Sequence, residues 1–188
     1  AARPVLSSLS SSSFSSSEDS DSSASVESFK DFPDLNAETL LMFEDVKVSG
    51  ADEDAHLCWD KGSTRCLITH KFALASGLQK QEVVFRLNVV GSQGEPQKGW
   101  FYMFELVMNN GNVRKVWAYG IDEIMDPSDA MDLSAIRSLF PHVPEEVFVR
   151  NQTKPVDILM GNNFLGLHPD GGQGRDCVGD MKVYQSKF

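Results

Sequence analysis

Cysteine is scarce: Cys58, Cys66 and Cys177 are the three in 188 residues. Their scatter excludes a disulfide framework, and none of the spacings is that of a zinc site, so free thiols in an intracellular (cytoplasmic), reducing setting are expected. No run of about 18 apolar residues occurs, which excludes a helical membrane span. A basic excess is missing too, since the formal net charge is −10. Residues 1–55 hold 12 acidic side chains against Arg3, Lys30 and Lys47, a net of −9, and the remainder holds 15 acids against 14 bases. An acidic leader on a nearly neutral body offers no electrostatic footprint for nucleic acid, so no nucleic-acid partner and no membrane partner are expected. The four histidines, His56, His70, His142 and His168, lie on separate segments without ligand spacing, and neither metal nor cofactor is expected.

Serine is what the leader has instead. Residues 1–28 are about half serine and include "SSLSSSSFSSSEDSDSSAS". Such a composition buries too little apolar area to offset the entropy of ordering it, so residues 1–40 are read as a disordered, Ser-rich acidic linker. The chain opens at Ala1 and stops at Phe188 without a start or closing signal, and reads as a piece of a longer polypeptide. Residues 41–188 form the expected domain. Leu40 to Phe43 suits either a short helix or the opening strand. "AHLCW" is a short apolar run ending at Asp60, and "TRCLITHKFALASGL" suits a helix of two to three turns closed by Gly77. "EVVFRLNVV" alternates as a strand does, at Val83, Phe85, Leu87 and Val89. "WFYMFELVM" and "VRKVWAYGI" flank Asn110-Gly111, a strong hairpin signal because both residues tolerate positive φ. "DPSDAMDLSAIRSLFP" has the pattern of a capped helix, and "VDILMG" and "KVYQSKF" read as short strands.

Asp60 ends an apolar run and is followed at once by Lys61, Gly62 and Ser63. Alone, that pattern describes a surface turn with a capping aspartate. Together, "WDKGSTRCLITHKFALASGL" and the later "VDILMGNNFLGLHP" resemble the retropepsin-type aspartic peptidase domain of BEL/Pao-type retroelement polyproteins, over roughly residues 43–188. The resemblance implies an all-β fold, a closed retropepsin-like (acid protease) barrel with one or two short helices. It implies a homodimer in which Asp60 comes once from each subunit, because this chain has one such loop. Two facing carboxylates share a proton, and one takes a proton from water while the other donates to the scissile carbonyl of an extended polypeptide substrate. Gly62 would let the loop approach its partner, Ser63 would orient the carboxylate, and Ile158, Leu159, Met160 and Gly161 would supply the supporting strand. The flap expected over substrate is "VVGSQGEPQKGWFY", tipped by Gly91, Ser92, Gln93 and Gly94, or else the "NNGN" hairpin.

Lys61 departs from the family pattern, which has Ser or Thr there. Lysine has three donors and no acceptor, so it cannot replace a hydroxyl that does both across a dimer axis. Reduced or absent activity is expected unless Lys61 swings out, its stem packed along Trp59 or a neighbouring strand. Two other readings stay open: an inactive dimerisation or peptide-binding module of the same fold, and a β-rich interaction domain with Asp60 on open surface.

Overall fold

Most apolar runs of the body become strands, and the pattern of burial says which are central. The computed structural model describes residues 4–8, 42–88, 93–125, 137–144, 154–171, 177–178 and 181–188. They are mostly β-sheet with few short helices. β1 is Pro4–Ser8, β2 Met42–Val48, β3 Ala55–Trp59 and β4 Leu67–Thr69, followed by helix α1, His70–Ala75. β5 (Gln79–Phe85), β6 (Gln97–Val107) and β7 (Val113–Ile121) come next, then β8 (Ile158–Met160) and a 3₁₀ helix, Asn162–Leu167. β9 (Asp170–Gly171), β10 (Cys177–Val178) and β11 (Met181–Gln185) complete the order.

Seven strands form one sheet in the order β2-β3-β8-β4-β7-β6-β5, and β2 also pairs with β6 through Lys47↔Val107 and Val48↔Leu106. β3 is buried at all five positions, so both of its faces are covered, and it reads as a short apolar run for that reason. On β6 and β7 the inward positions Tyr102, Phe104, Leu106, Val116 and Ala118 are buried, whereas Met103 and Trp117 face outward opposite each other. Val46, Leu57, Ile68, Ile158 and Met160 join those inward residues in one core. β11 carries a second small sheet, pairing with β1, β9 and β10, and its Tyr184 packs into the same core along with Phe188.

The C-terminal tail is tied down by a buried carboxylate. Glu44 Oε2 accepts from Trp59 Nε1 at 3.2 Å and from Ser186 Oγ at 2.7 Å, while Phe188 N donates to Ser186 Oγ at 3.0 Å. Asn109 then donates from its backbone N to Lys187 O at 2.9 Å and from Nδ2 to Phe188 O at 2.6 Å.

The Asn110-Gly111 hairpin forms as read, joining β6 and β7 with Gly111 at φ 81° and Met108 N bonded to Asn112 O at 2.8 Å. Residues 42–48 take the strand alternative. Three expectations need correction or relocation. The expected helix over "TRCLITHKFALASGL" begins only at His70, because Leu67–Thr69 pair with β7 and β8 instead, and Thr69 Oγ1 caps α1 by accepting from Phe72 N at 3.3 Å. The strand read at "EVVFRLNVV" starts three residues earlier, at Gln79, and stops at Phe85. Pro4–Ser8, within the expected linker, pairs with β11 from Pro4↔Gln185 to Ser8↔Met181. The rest of that linker and most of the helix expected over 126–141 lie outside the described residues.

Ile158 has no exposed surface, whereas Leu74 is 60% exposed. Ile158→Ala is expected to cost about 2–5 kcal/mol of unfolding free energy in urea titrations, and Leu74→Ala to stay within about 0.5 kcal/mol.

Candidate active site

β3 and β4 are joined by the loop 60–66, yet they do not pair with each other. β8 lies between them, parallel to β3 (Leu57↔Ile158, Cys58↔Leu159, Trp59↔Met160) and antiparallel to β4 (Leu67↔Leu159, Ile68↔Ile158). The loop therefore has to arch over the end of β8, and its backbone polar groups find partners there. Asp60 N donates to Met160 O at 3.0 Å, Asn162 N donates to Ser63 O at 2.8 Å, and Asn162 Nδ2 donates to Lys61 O. A Cβ on Gly161 would stand 2.5 Å from Arg65 O and 2.7 Å from Arg65 C, so this position admits only glycine without displacing the loop. The strand expected to support the loop, Ile158, Leu159, Met160 and Gly161, lies directly against it.

Asp60 is half-buried at the start of the loop, and its Oδ1 accepts from Gly62 N at 2.7 Å. That amide, not Ser63, orients the carboxylate. Ser63 Oγ donates instead to Arg65 O at 3.0 Å, two residues on, because the turn at Gly62 brings that carbonyl within its reach. Lys61 is exposed, and its Nζ stands 5.4 Å from the centroid of the Tyr184 ring on β11, a cation–π contact.

His168 was not singled out by sequence, and it sits behind this loop. It is 2% exposed, its ring centroid is 5.0 Å from that of Trp59, and its Nε2 lies 3.1 Å from Gly161 O. A carbonyl only accepts, so Nε2 carries the proton, and Nδ1 has no partner within the described residues. Burial holds the His168 pKa below its ordinary 6.5; Lys61 and Lys187 push the same way, while Asp60 and the Gly161 hydrogen bond oppose them. Cys66 lies on the same floor, with Sγ 3.3 Å from Met160 Sδ and 3.1 Å from Asn163 Oδ1, and it accepts from Gly161 N. Burial raises the Cys66 thiol to about 11 and Cys58 to about 12, so both are core thiols rather than nucleophiles.

Asp157 is at the opposite end of β8 from Asp60. Its Oδ2 accepts from His56 N at 2.9 Å, and burial raises its carboxyl above the ordinary value. Nearby, the hydrogen bond from His56 Nδ1 at 2.9 Å lowers the carboxyl of Asp45, which also has Lys154 Nζ at 3.6 Å.

A cleft of about 890 Å³ opens beside the loop, between Ser63–Arg65 and the β5–β6 hairpin at Phe85, Leu87 and Pro96. The β5–β6 connection carries the first flap candidate; Gly94 N donates to Asn88 Oδ1 at 3.2 Å and Gln93 is exposed, while Gly91 and Ser92 lie outside the described residues. The "NNGN" turn lines no part of this cleft and is held by the C-terminal tail.

Against models of known families, curated proteins and solved structures, the chain has no match. Among the described residues no three His, Cys, Asp or Glu side chains come together as metal ligands, and no helix is long and apolar enough to cross a membrane.

Two outcomes are expected. Gly161→Ala should lose about 1–3 kcal/mol in chemical denaturation, since backbone rather than a flexible side chain must yield. As pH falls below 6.5 the unfolded chain protonates His168 while the folded chain resists, so stability falls; in His168→Gln that part of the slope should vanish from stability curves measured between pH 7 and 5.

Proposed function

We propose that this chain is a retropepsin-like aspartic endopeptidase of a retroelement polyprotein, an intracellular homodimer with one Asp60 per subunit. The observation that carries the reading is the insertion of β8 between β3 and β4, with the Asp60 loop arched over its end and the carboxylate oriented by the Gly62 amide. A carboxylate presented on such a fixed arch, beside a cleft of about 890 Å³, can meet a second copy of itself across a twofold axis. Water held between the two would be deprotonated by one carboxylate while the other protonates the scissile carbonyl. The return pairing of β2 with β6 supports the closed barrel of this reading. The position of the cleft supports the β5–β6 connection, with Gln93 and Gly94, as the flap.

Lys61 decides between activity and its absence. Its ammonium lies toward Tyr184, and its main-chain carbonyl is held by Asn162, which supports the swung-out arrangement that spares the carboxylates a neighbouring cation. The same residue favours the second reading, an inactive dimerisation or peptide-binding module. Without an acceptor it cannot exchange hydrogen bonds with its counterpart across the axis, at a cost of about 1–3 kcal/mol for each buried group left unpaired.

The test is hydrolysis of an extended apolar peptide by the full chain. Cleavage inhibited by a transition-state mimic such as pepstatin is expected, with Asp60→Asn slowing it about 10²–10⁴-fold and Lys61→Ser at least as fast as the parent. If neither the parent nor Lys61→Ser cleaves, the enzymatic reading is wrong, and peptide binding without turnover would identify the inactive module.

A further inference from the structure

The cleft beside the Asp60 loop is walled mainly by apolar side chains, Leu67, Phe85, Leu87, Ile121 and Ile124 among them, and by Val84, which is 67% exposed. Two arginines, Arg65 and Arg86, also line it, with a single carboxylate, Glu123. Neither arginine forms an ion pair among the described residues.

Arg65 is held in place at three points. Its backbone carbonyl accepts from Ser63 Oγ, its main chain abuts Gly161, and its guanidinium lies 5.0 Å from the centroid of the Tyr119 ring while Nη1 donates to Tyr119 Oη. A guanidinium has five N–H donors in a rigid fork. With one spent on Tyr119, the remainder stay available, already oriented and at small further cost in side-chain entropy. An apolar trough with a fixed, unpaired fork at its rim suits a particular ligand: an extended peptide whose apolar side chain enters the trough while a neighbouring carboxylate meets the fork.

We propose that Arg65, assisted by Arg86, makes this cleft select extended peptides that carry an acidic residue next to an apolar one. The inference rests on the peptidase reading for the extended peptide, and it adds the substrate class. The chain itself contains such a sequence in residues 26–37, "VESFKDFPDLNA", where Glu27, Asp31 and Asp34 alternate with Phe29, Phe32 and Leu35.

The experiment uses the full chain bearing Asp60→Asn, so that binding is read without turnover. Fluorescence anisotropy compares a labelled peptide of sequence 26–37 with its counterpart in which Glu27 is Gln and Asp31 and Asp34 are Asn. The acidic peptide is expected to bind about fivefold tighter, as a partly exposed ion pair allows, and the preference should shrink in high salt. Arg65→Gln should remove most of the preference. Lys115→Gln, outside the cleft, should leave the preference intact. Equal affinity for the two peptides, binding of neither, or a preference that survives in Arg65→Gln would overturn the proposal. If the preference follows Arg65 but neither the parent chain nor Lys61→Ser cuts any peptide, the endopeptidase reading falls and this one stands.

Discussion

Three residues of β8, Ile158–Met160, hold apart two strands that the chain would otherwise join by a simple turn. Because β8 hydrogen-bonds to β3 on one side and to β4 on the other, the loop between those strands cannot collapse into a hairpin. It must cross the strand end, and each crossing contact fixes something chemical. Met160 O fixes the start of the loop at Asp60, Asn162 fixes Lys61 and Ser63, and Gly161 admits the main chain of Arg65. The carboxylate therefore belongs to a loop held at several points along its length, although its own exposure is intermediate. Such over-determination is what a site needs when geometry must hold within fractions of an ångström.

The electrostatics behind the loop follow from the same packing. The inserted strand and the 3₁₀ helix after it bury His168 against Trp59, and that burial disfavours the charged imidazolium behind Asp60. Lys61, the one cation in the loop before Arg65, is drawn over the Tyr184 ring. Tyr184 in turn is held in the core by β11, and the tail beyond it is fastened through Ser186 to the buried Glu44. The placement of Lys61 thus depends on the last strand of the chain as much as on the loop itself.

Parts of this arrangement could be read from the sequence because local chemistry dictated them. Asn110-Gly111 had to be a tight turn, the five-residue run ending at Trp59 stood out as apolar, and Asp60-Lys61-Gly62-Ser63 had to be a turn. The pairing of that turn with "ILMG" was implied only by the resemblance to retropepsins, and in the structure the two segments lie together. What misled was a long-range effect on a local pattern. "LITHKFALASGL" has helical spacing throughout, yet Leu67–Thr69 gain more from two strand neighbours than from another helical turn. The resemblance implied Ser63 as the partner of the carboxylate, but the fold turns its hydroxyl to Arg65 O. Asn162 and His168 carried no signal beyond being polar residues after an apolar strand, since their roles arise from partners some hundred residues away or from burial. Arg65 gave none either, because its cleft is formed only when β5 and β6 fold alongside.

The central claim is that Asp60 meets its own counterpart across a twofold axis. A crystal structure of the full chain bound to a statine-type peptide tests it most directly. The account predicts a dimer with the ligand hydroxyl held between two Asp60 carboxylates, one from each subunit, and both Lys61 side chains turned away toward Tyr184. A ligand bound to a monomer, or a dimer whose two Asp60 residues face away from each other, would contradict it.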